Sequence, residues 1–150
     1  MAKSYNEKHL TCSAGAFSVL SELMKRKVNA VTLSPVNSIR VSYGDLDSCN
    51  ESDQKCKYIK VKTTRENQVV TSYYQRYFGP DKPKPDYWVL VFIDESYNAR
   101  FFILTYKELG EVQAKRNNIP PGELPHGCDN LSINDVIEYE NAWNTIINCK

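Results

Sequence analysis

Strict alternation from Tyr58 to Thr64, Tyr-Ile-Lys-Val-Lys-Thr-Thr, predicts a strand with two unlike faces. Ile59, Val61 and Thr63 fall on one side, and Tyr58, Lys60, Lys62 and Thr64 on the other. Upstream, Ser38 to Tyr43 alternates Ile39, Val41 and Tyr43 inward as a second strand. The two should pair antiparallel across a long polar loop, Gly44 to Gln54. Tyr87 to Asp94 is apolar on both faces, which marks a central strand covered on both sides, and a turn at Ser96 to Asn98 leads into another such strand, Arg100 to Leu104. Helical spacing replaces alternation between Ser13 and Lys27. There Phe17, Leu20 and Met24 recur at three and four residues, joined by Ala16, Val19 and Leu23, and Lys25, Arg26 and Lys27 suit the negative end of a helix. Thr105 with Glu108 reads as a capping box for a helix running to about Arg116. Ser132 with Asp135 should start a last helix carrying Ile133, Val136, Ile137, Trp143, Ile146 and Ile147. Arg65 to Asp86 holds no period: Tyr73, Tyr74, Tyr77 and Phe78 read as a tyrosine-rich helix or turn, and Lys82-Pro83-Lys84-Pro85 as a stiff basic connection. Asn117 to Asn130 is expected to be loop.

This order of helix, four strands and two helices predicts an α/β fold, a mixed sheet covered on both faces. A chain of 150 residues suits one domain with a sizeable core. With 41% hydrophobic and 25% charged residues, neither a disordered nor a fibrous class is indicated. No run has the length of a membrane span, and the first residues lack the apolar stretch of a signal peptide, so no membrane association and a cytoplasmic location are expected. Charge changes the picture locally. Net charge is only +1, yet Gln54 to Arg65 holds Lys55, Lys57, Lys60, Lys62 and Arg65 and no acid. Five cysteines, an odd number without a Cys-x-x-Cys pair, argue against a disulfide framework or a zinc ribbon. Free thiols are expected, although Cys49 and Cys56 could meet across the neck of their loop. His126 and Cys128 would have to converge with those two to make a zinc site, which is not expected.

Val61-Lys62-Thr63 at a strand end, an N-terminal helix with Ala14-Gly15-Ala16-Phe17, and a later apolar strand leading into Phe101-Phe-Ile-Leu-Thr-Tyr-Lys-Glu108 form a recognisable arrangement. On these residues the chain resembles small bacterial members of the PD-(D/E)xK nuclease superfamily, the restriction endonuclease-like fold, from about Ala14 to Leu109. In active members, the resemblance implies, a helix acid, a strand aspartate and a Glu or Gln two residues before a lysine hold magnesium and aim a water at a phosphodiester. Oxygen ligands suit a hard cation, and the lysine steadies developing negative charge. Carried onto this chain, the helix acid falls at Ala16, the aspartate at Ser38 and the Glu or Gln at Lys60; only the catalytic lysine, Lys62, matches. Hairpin geometry sets Ser38 opposite about Lys62. Asp45 and Asp47 lie too far along the strand to substitute, and Glu22 is rotated to another helix face. A divalent cation beside Lys60 and Lys62 would be repelled, so no metal is expected.

The resemblance therefore implies a catalytically degenerate nuclease fold that binds DNA or RNA backbone, or an acidic protein, through Lys57, Lys60, Lys62 and Arg65. No cofactor is expected; magnesium belongs only to an alternative, a working nuclease with relocated ligands. A non-enzymatic immunity or interaction protein on the same fold suits the near-neutral pI of 7.6. Against these stands a plain reading: a solvated strand face of exposed lysines contributing little to stability. Trp88 and Trp143 read as core anchors, Tyr74 and Phe78 as core edge, and His9 and His126 lack a nucleophile partner. Oligomeric state is not readable in the sequence.

Overall fold

The computed structural model describes residues 5–33, 37–43, 56–72, 85–120 and 129–147. The expected polar loop before Cys56, the tyrosines from Tyr73 to Tyr77, Phe78, Lys82 to Lys84, His126, Cys49, Cys128 and Cys149 lie outside them. Helix α1 (Tyr5–Lys25) is followed by β1 (Asn29–Thr32), β2 (Ser38–Ser42), β3 (Cys56–Thr64) and β4 (Gln68–Val70). Then come β5 (Tyr87–Ile93), β6 (Ala99–Thr105), α2 (Tyr106–Asn117), β7 (Asn130–Ser132), α3 (Ile133–Val136), a 3-10 turn (Ile137–Tyr139) and α4 (Asn144–Ile147).

The main sheet has five strands in the order β1-β2-β3-β5-β6. Neighbours pair antiparallel except β3 and β5, which are parallel, so the sheet is mixed. β3 is its middle strand, and β5 beside it is buried at every position, as its two-sided apolar run predicts. β4 and β7 form a separate two-stranded ribbon that sequence alternation did not announce, because each strand has only three residues.

Two cores lie on the two sheet faces. Val19 and Leu23 of α1 pack with Ile39, Val41, Ile59, Val61, Val89 and Val91, and Trp143 and Ile146 join them. On the other face Trp88, Leu90, Phe92, Phe102 and Leu104 pack with Leu109 of α2, Val69, Leu131 and Val136. Each tryptophan thus anchors one core. α1 approaches β3 closely at Gly15, where an added Cβ would lie 1.7 Å from Thr63 Oγ1. The capping box at Thr105 and Glu108 forms as expected.

Three expectations are corrected. The outward stripe of α1 is Leu10, Phe17 and Met24, while Ala16, Val19 and Leu23 are buried; Phe17 and Met24 are not core residues. The last helix is broken into α3, the turn and α4, because Glu140 is extended and bridges to Phe102. That interruption carries the chain around the β6 edge, from Val136 in one core to Trp143 in the other, a path no continuous helix could follow. Cys56 is disulfide-bonded rather than a free thiol. Cys12 is a free thiol, as expected. Among the described residues no helix is long and apolar enough to cross a membrane.

Candidate functional site

β-Alternation puts Ser38 and Arg40 of β2 and Lys60 and Lys62 of β3 on the sheet face away from α1, because Ile39, Val41, Ile59 and Val61 fill the α1 side. Ser38 is the register partner of Lys60, two residues short of the expected Lys62. The difference comes from the hairpin's true centre, which lies nearer residue 49 than 50 and shifts the pairing by one same-face step. Lys60 is also the register partner of Trp88, and Lys62 of Leu90, so both lysine stems run beside the apolar floor of the second core.

The lysines are not simple solvated cations. Lys60 is only 4% exposed, and its Nζ donates to Asn37 Oδ1 at 3.0 Å. Asn37 is itself fixed to the strand, its carbonyl accepting from the Val61 N–H at 2.8 Å. Lys62 is partly buried and donates to Ser72 Oγ at 3.0 Å. Ser72 sits at φ 57°, a left-handed conformation that a serine adopts only when its surroundings hold it there. Thr71 supplies that hold. Fully buried, it donates its hydroxyl to Gln113 Oε1 at 3.1 Å, its N–H donates to the Asp129 carbonyl at 2.9 Å, and its carbonyl accepts from Trp88 Nε1 at 3.1 Å. A buried polar network therefore presents Ser72 to Lys62.

Lys57 and Arg65 are not brought to this place. Lys57 alternates onto the other face and lies 4.0 Å from Asp86 Oδ1. Asp86 also accepts from the Tyr58 N–H at 2.8 Å, so it caps the start of the strand. Arg65 follows the far end of β3, with its guanidinium 4.2 Å from the ring centre of Tyr97 on the β5–β6 turn. Eight residues separate the two, roughly 26 Å of strand. The four basic residues expected to form one binding face thus divide into a shared pair and two distant singles.

Arg40 was not anticipated. It lies beside Tyr58 in register, one same-face step from Ser38, and its Nε is buried without a hydrogen-bond acceptor. The alternation Ser38-Ile39-Arg40-Val41 could have placed it on the lysine face, but an arginine on a different strand from the basic cluster gave no local signal. A buried guanidinium N–H without an acceptor is costly, and a partner oxygen would relieve it.

The carboxylate positions carried over by resemblance hold none. Ala16 is fully buried in the α1 layer, on the other side of the sheet from Lys60; Ser38 and Lys60 face each other. Glu22 is engaged by Arg26 Nη1 at 2.6 Å and by Lys25 Nζ at 3.4 Å, and its carboxyl is held below the usual range chiefly by the Arg26 hydrogen bond. Among the described residues, no three of His, Cys, Asp and Glu gather as a metal-binding group. The chemistry on this face suits an anion rather than a divalent cation. No protein-family model, no curated protein and no solved structure matches this chain.

Proposed function

We propose that this protein is a catalytically silent, nuclease-like fold that binds the phosphate backbone of nucleic acid at the Arg40, Lys60 and Lys62 face of β2 and β3. The observation that carries the reading is the orphaned Arg40 Nε on the same face as the two lysines. Arg40 pairs with Tyr58, so Lys60 is its diagonal neighbour and Lys62 lies four residues along the same face, roughly 13 Å of strand. An N–H without an acceptor on a face of one charge sign offers a vacant donor in a positive field, and successive phosphates of a backbone suit that spread. Arg40 and Lys62 make the contacts. Lys60, nearly closed off from solvent, supplies field and holds Asn37 in place. The helix, hairpin and apolar strand of the nuclease resemblance stand in that order along the fold, which supports the likeness. The loss of acids at Ala16, Ser38 and Lys60 supports binding without cleavage.

Backbone contacts position a nucleic acid without reading its sequence, so binding is weak, indifferent to base and steeply salt dependent. Fluorescence anisotropy with labelled single- and double-stranded DNA over a salt series tests this. Two or three phosphate contacts give a log-log slope of about −2 to −3, and Arg40→Ala or Lys62→Ala each flatten it by about one unit. Lys57→Ala, on the other face, leaves the slope unchanged. Absence of binding at low salt, or a slope as sensitive to Lys57 as to Lys62, overturns the reading. Preference for an acidic protein over DNA at equal salt would move the same site to a protein partner.

A further inference from the structure

The two faces of the main sheet are covered unequally. On the α1 side all five strands contribute to the core, from Ala30 of β1 to Phe101 and Ile103 of β6. On the other side the second core is built from β5, β6, the ribbon, α2 and α3, and among the described residues it draws nothing from β1, β2 or β3. That leaves one cross-strand row outside both cores. Val31, Arg40 and Tyr58 are successive register partners on β1, β2 and β3, so they stand side by side on the face that also carries Lys60 and Lys62. Val31 is 40% exposed, and Tyr58 is partly exposed. A tyrosine on a sheet face ordinarily joins a core, whereas this one belongs to neither.

We infer that Tyr58 stacks on a base and that the ligand of this face is a single-stranded nucleic acid, an inference that rests on the phosphate-binding reading above. The Cβ atoms of Tyr58 and Arg40 lie about 5 Å apart across the strands, and Lys60 and Lys62 follow at steps of roughly 7 Å along β3. β1, β2 and β3 contain no acid. An aromatic ring in line with Arg40, Lys60 and Lys62 suits a ligand that carries a flat apolar ring and an anion in every repeat, and a nucleotide chain is such a ligand. In a duplex the bases are paired and stacked on one another; a single strand can lay one on the tyrosine. The backbone that carries the ring is pinned. The Tyr58 N–H donates to Asp86 Oδ2 at 2.8 Å, and its carbonyl accepts from the Asp86 N–H at 2.9 Å. A ring offered from a fixed backbone lowers the ordering cost of binding. Stacking accepts any base, so indifference to sequence is kept.

Fluorescence anisotropy of the full chain at low salt, with labelled oligo-dT, oligo-U, an abasic strand of the same length and a duplex, tests the inference. The parent is expected to bind a base-bearing single strand roughly 5- to 100-fold more tightly than the abasic strand, and more tightly than the duplex. Tyr58→Ala and Tyr58→Leu, the second of which keeps apolar bulk at the site, are expected to remove that preference. Both should bind the abasic strand as the parent does and keep its salt slope, because tyrosine carries no charge. Tyr58→Phe, which keeps the ring, retains the preference, and circular dichroism checks that each variant is folded. The preference on either sugar supports the inference, and the tighter of oligo-dT and oligo-U names the strand. A parent that binds the abasic strand or the duplex as tightly as both base-bearing strands, or a preference that survives in Tyr58→Ala and Tyr58→Leu, overturns the stacking role, while the phosphate reading stands on its Arg40 and Lys62 salt slope. Absence of binding to every strand overturns both.

Discussion

Thr63 shows how a single buried atom positions an element. Its Oγ1 is buried without a hydrogen-bond partner and lies under Gly15, where α1 comes closest to β3. Replacing that hydroxyl by a methyl group of the same shape removes an unsatisfied polar atom. Thr63→Val is therefore expected to leave stability unchanged or raise it by up to about 1 kcal/mol, measured by urea unfolding. Gly15→Ala goes the other way. Alanine favours the helix by about 1 kcal/mol, but its Cβ would collide with Thr63, and overpacking of this kind costs about 1–3 kcal/mol. A net loss is expected, partly recovered when Thr63→Ala is added; a stabilised Gly15→Ala chain would mean that the helix is not seated there. Lys60 likewise departs from its sequence reading. As a buried side chain bonded to Asn37, it should cost about 1–3 kcal/mol on substitution by Ala, not the near-zero change of an exposed charge.

At the scale of elements, what the sequence made legible follows the strength of each local signal. β2, β3, β5 and α2 were readable because alternation, a two-sided apolar run and a capping box are written within each segment, whereas β6 was readable as a covered strand but not as the sheet edge it forms, since its apolar run reports burial and not pairing. The inward side of α1 was not, because Phe17, Leu20 and Met24 keep the same helical spacing as Ala16, Val19 and Leu23, and only the packed sheet chooses between them. The break after Val136 was equally hidden, since it is imposed by the β6 edge. At that edge Arg100 holds Glu140 through Nε at 2.7 Å and Nη2 at 2.9 Å. This hydrogen bonding keeps the Glu140 carboxyl below its ordinary value. Asp135, at the start of α3, is pushed up by burial, but the Ser132 N–H and hydroxyl and Arg116 outweigh that and hold it low. A carboxyl lowered in the folded state stabilises the fold above its unfolded value and loses that contribution as pH falls through the folded value. Urea midpoints measured downward from neutral pH should thus begin to fall near about pH 4.5, with Glu140→Gln and Asp135→Asn each flattening part of the decline. An unchanged decline in both variants would mean that neither carboxyl couples these elements to pH.

For the whole molecule, the main question is whether the β2–β3 face can do metal chemistry. The place of Lys62 on one face of an alternating strand was legible, but the orphaned Arg40 and the separation of Lys57 from Arg65 emerge only when strands pair. Magnesium and manganese sites of this kind are anchored by carboxylates, and where the resemblance puts two of them this face offers a hydroxyl at Ser38 and an ammonium at Lys60. Purified protein with either ion is therefore expected not to cut single- or double-stranded DNA, and metal-dependent cleavage abolished by Lys62→Ala would refute that. The register permits a sharper test. Ser38 and Lys60 are cross-strand partners, with Cβ atoms about 5 Å apart, close enough for two carboxylates to share one cation. Ser38→Asp with Lys60→Glu should make a chain less stable without metal, since two acids repel, and one whose melting temperature rises with manganese because the ion binds only the folded state. The parent should show no such rise. If manganese stabilises the parent as strongly as the double variant, the ion binds elsewhere and the chain cannot be described as metal-free by design of this face.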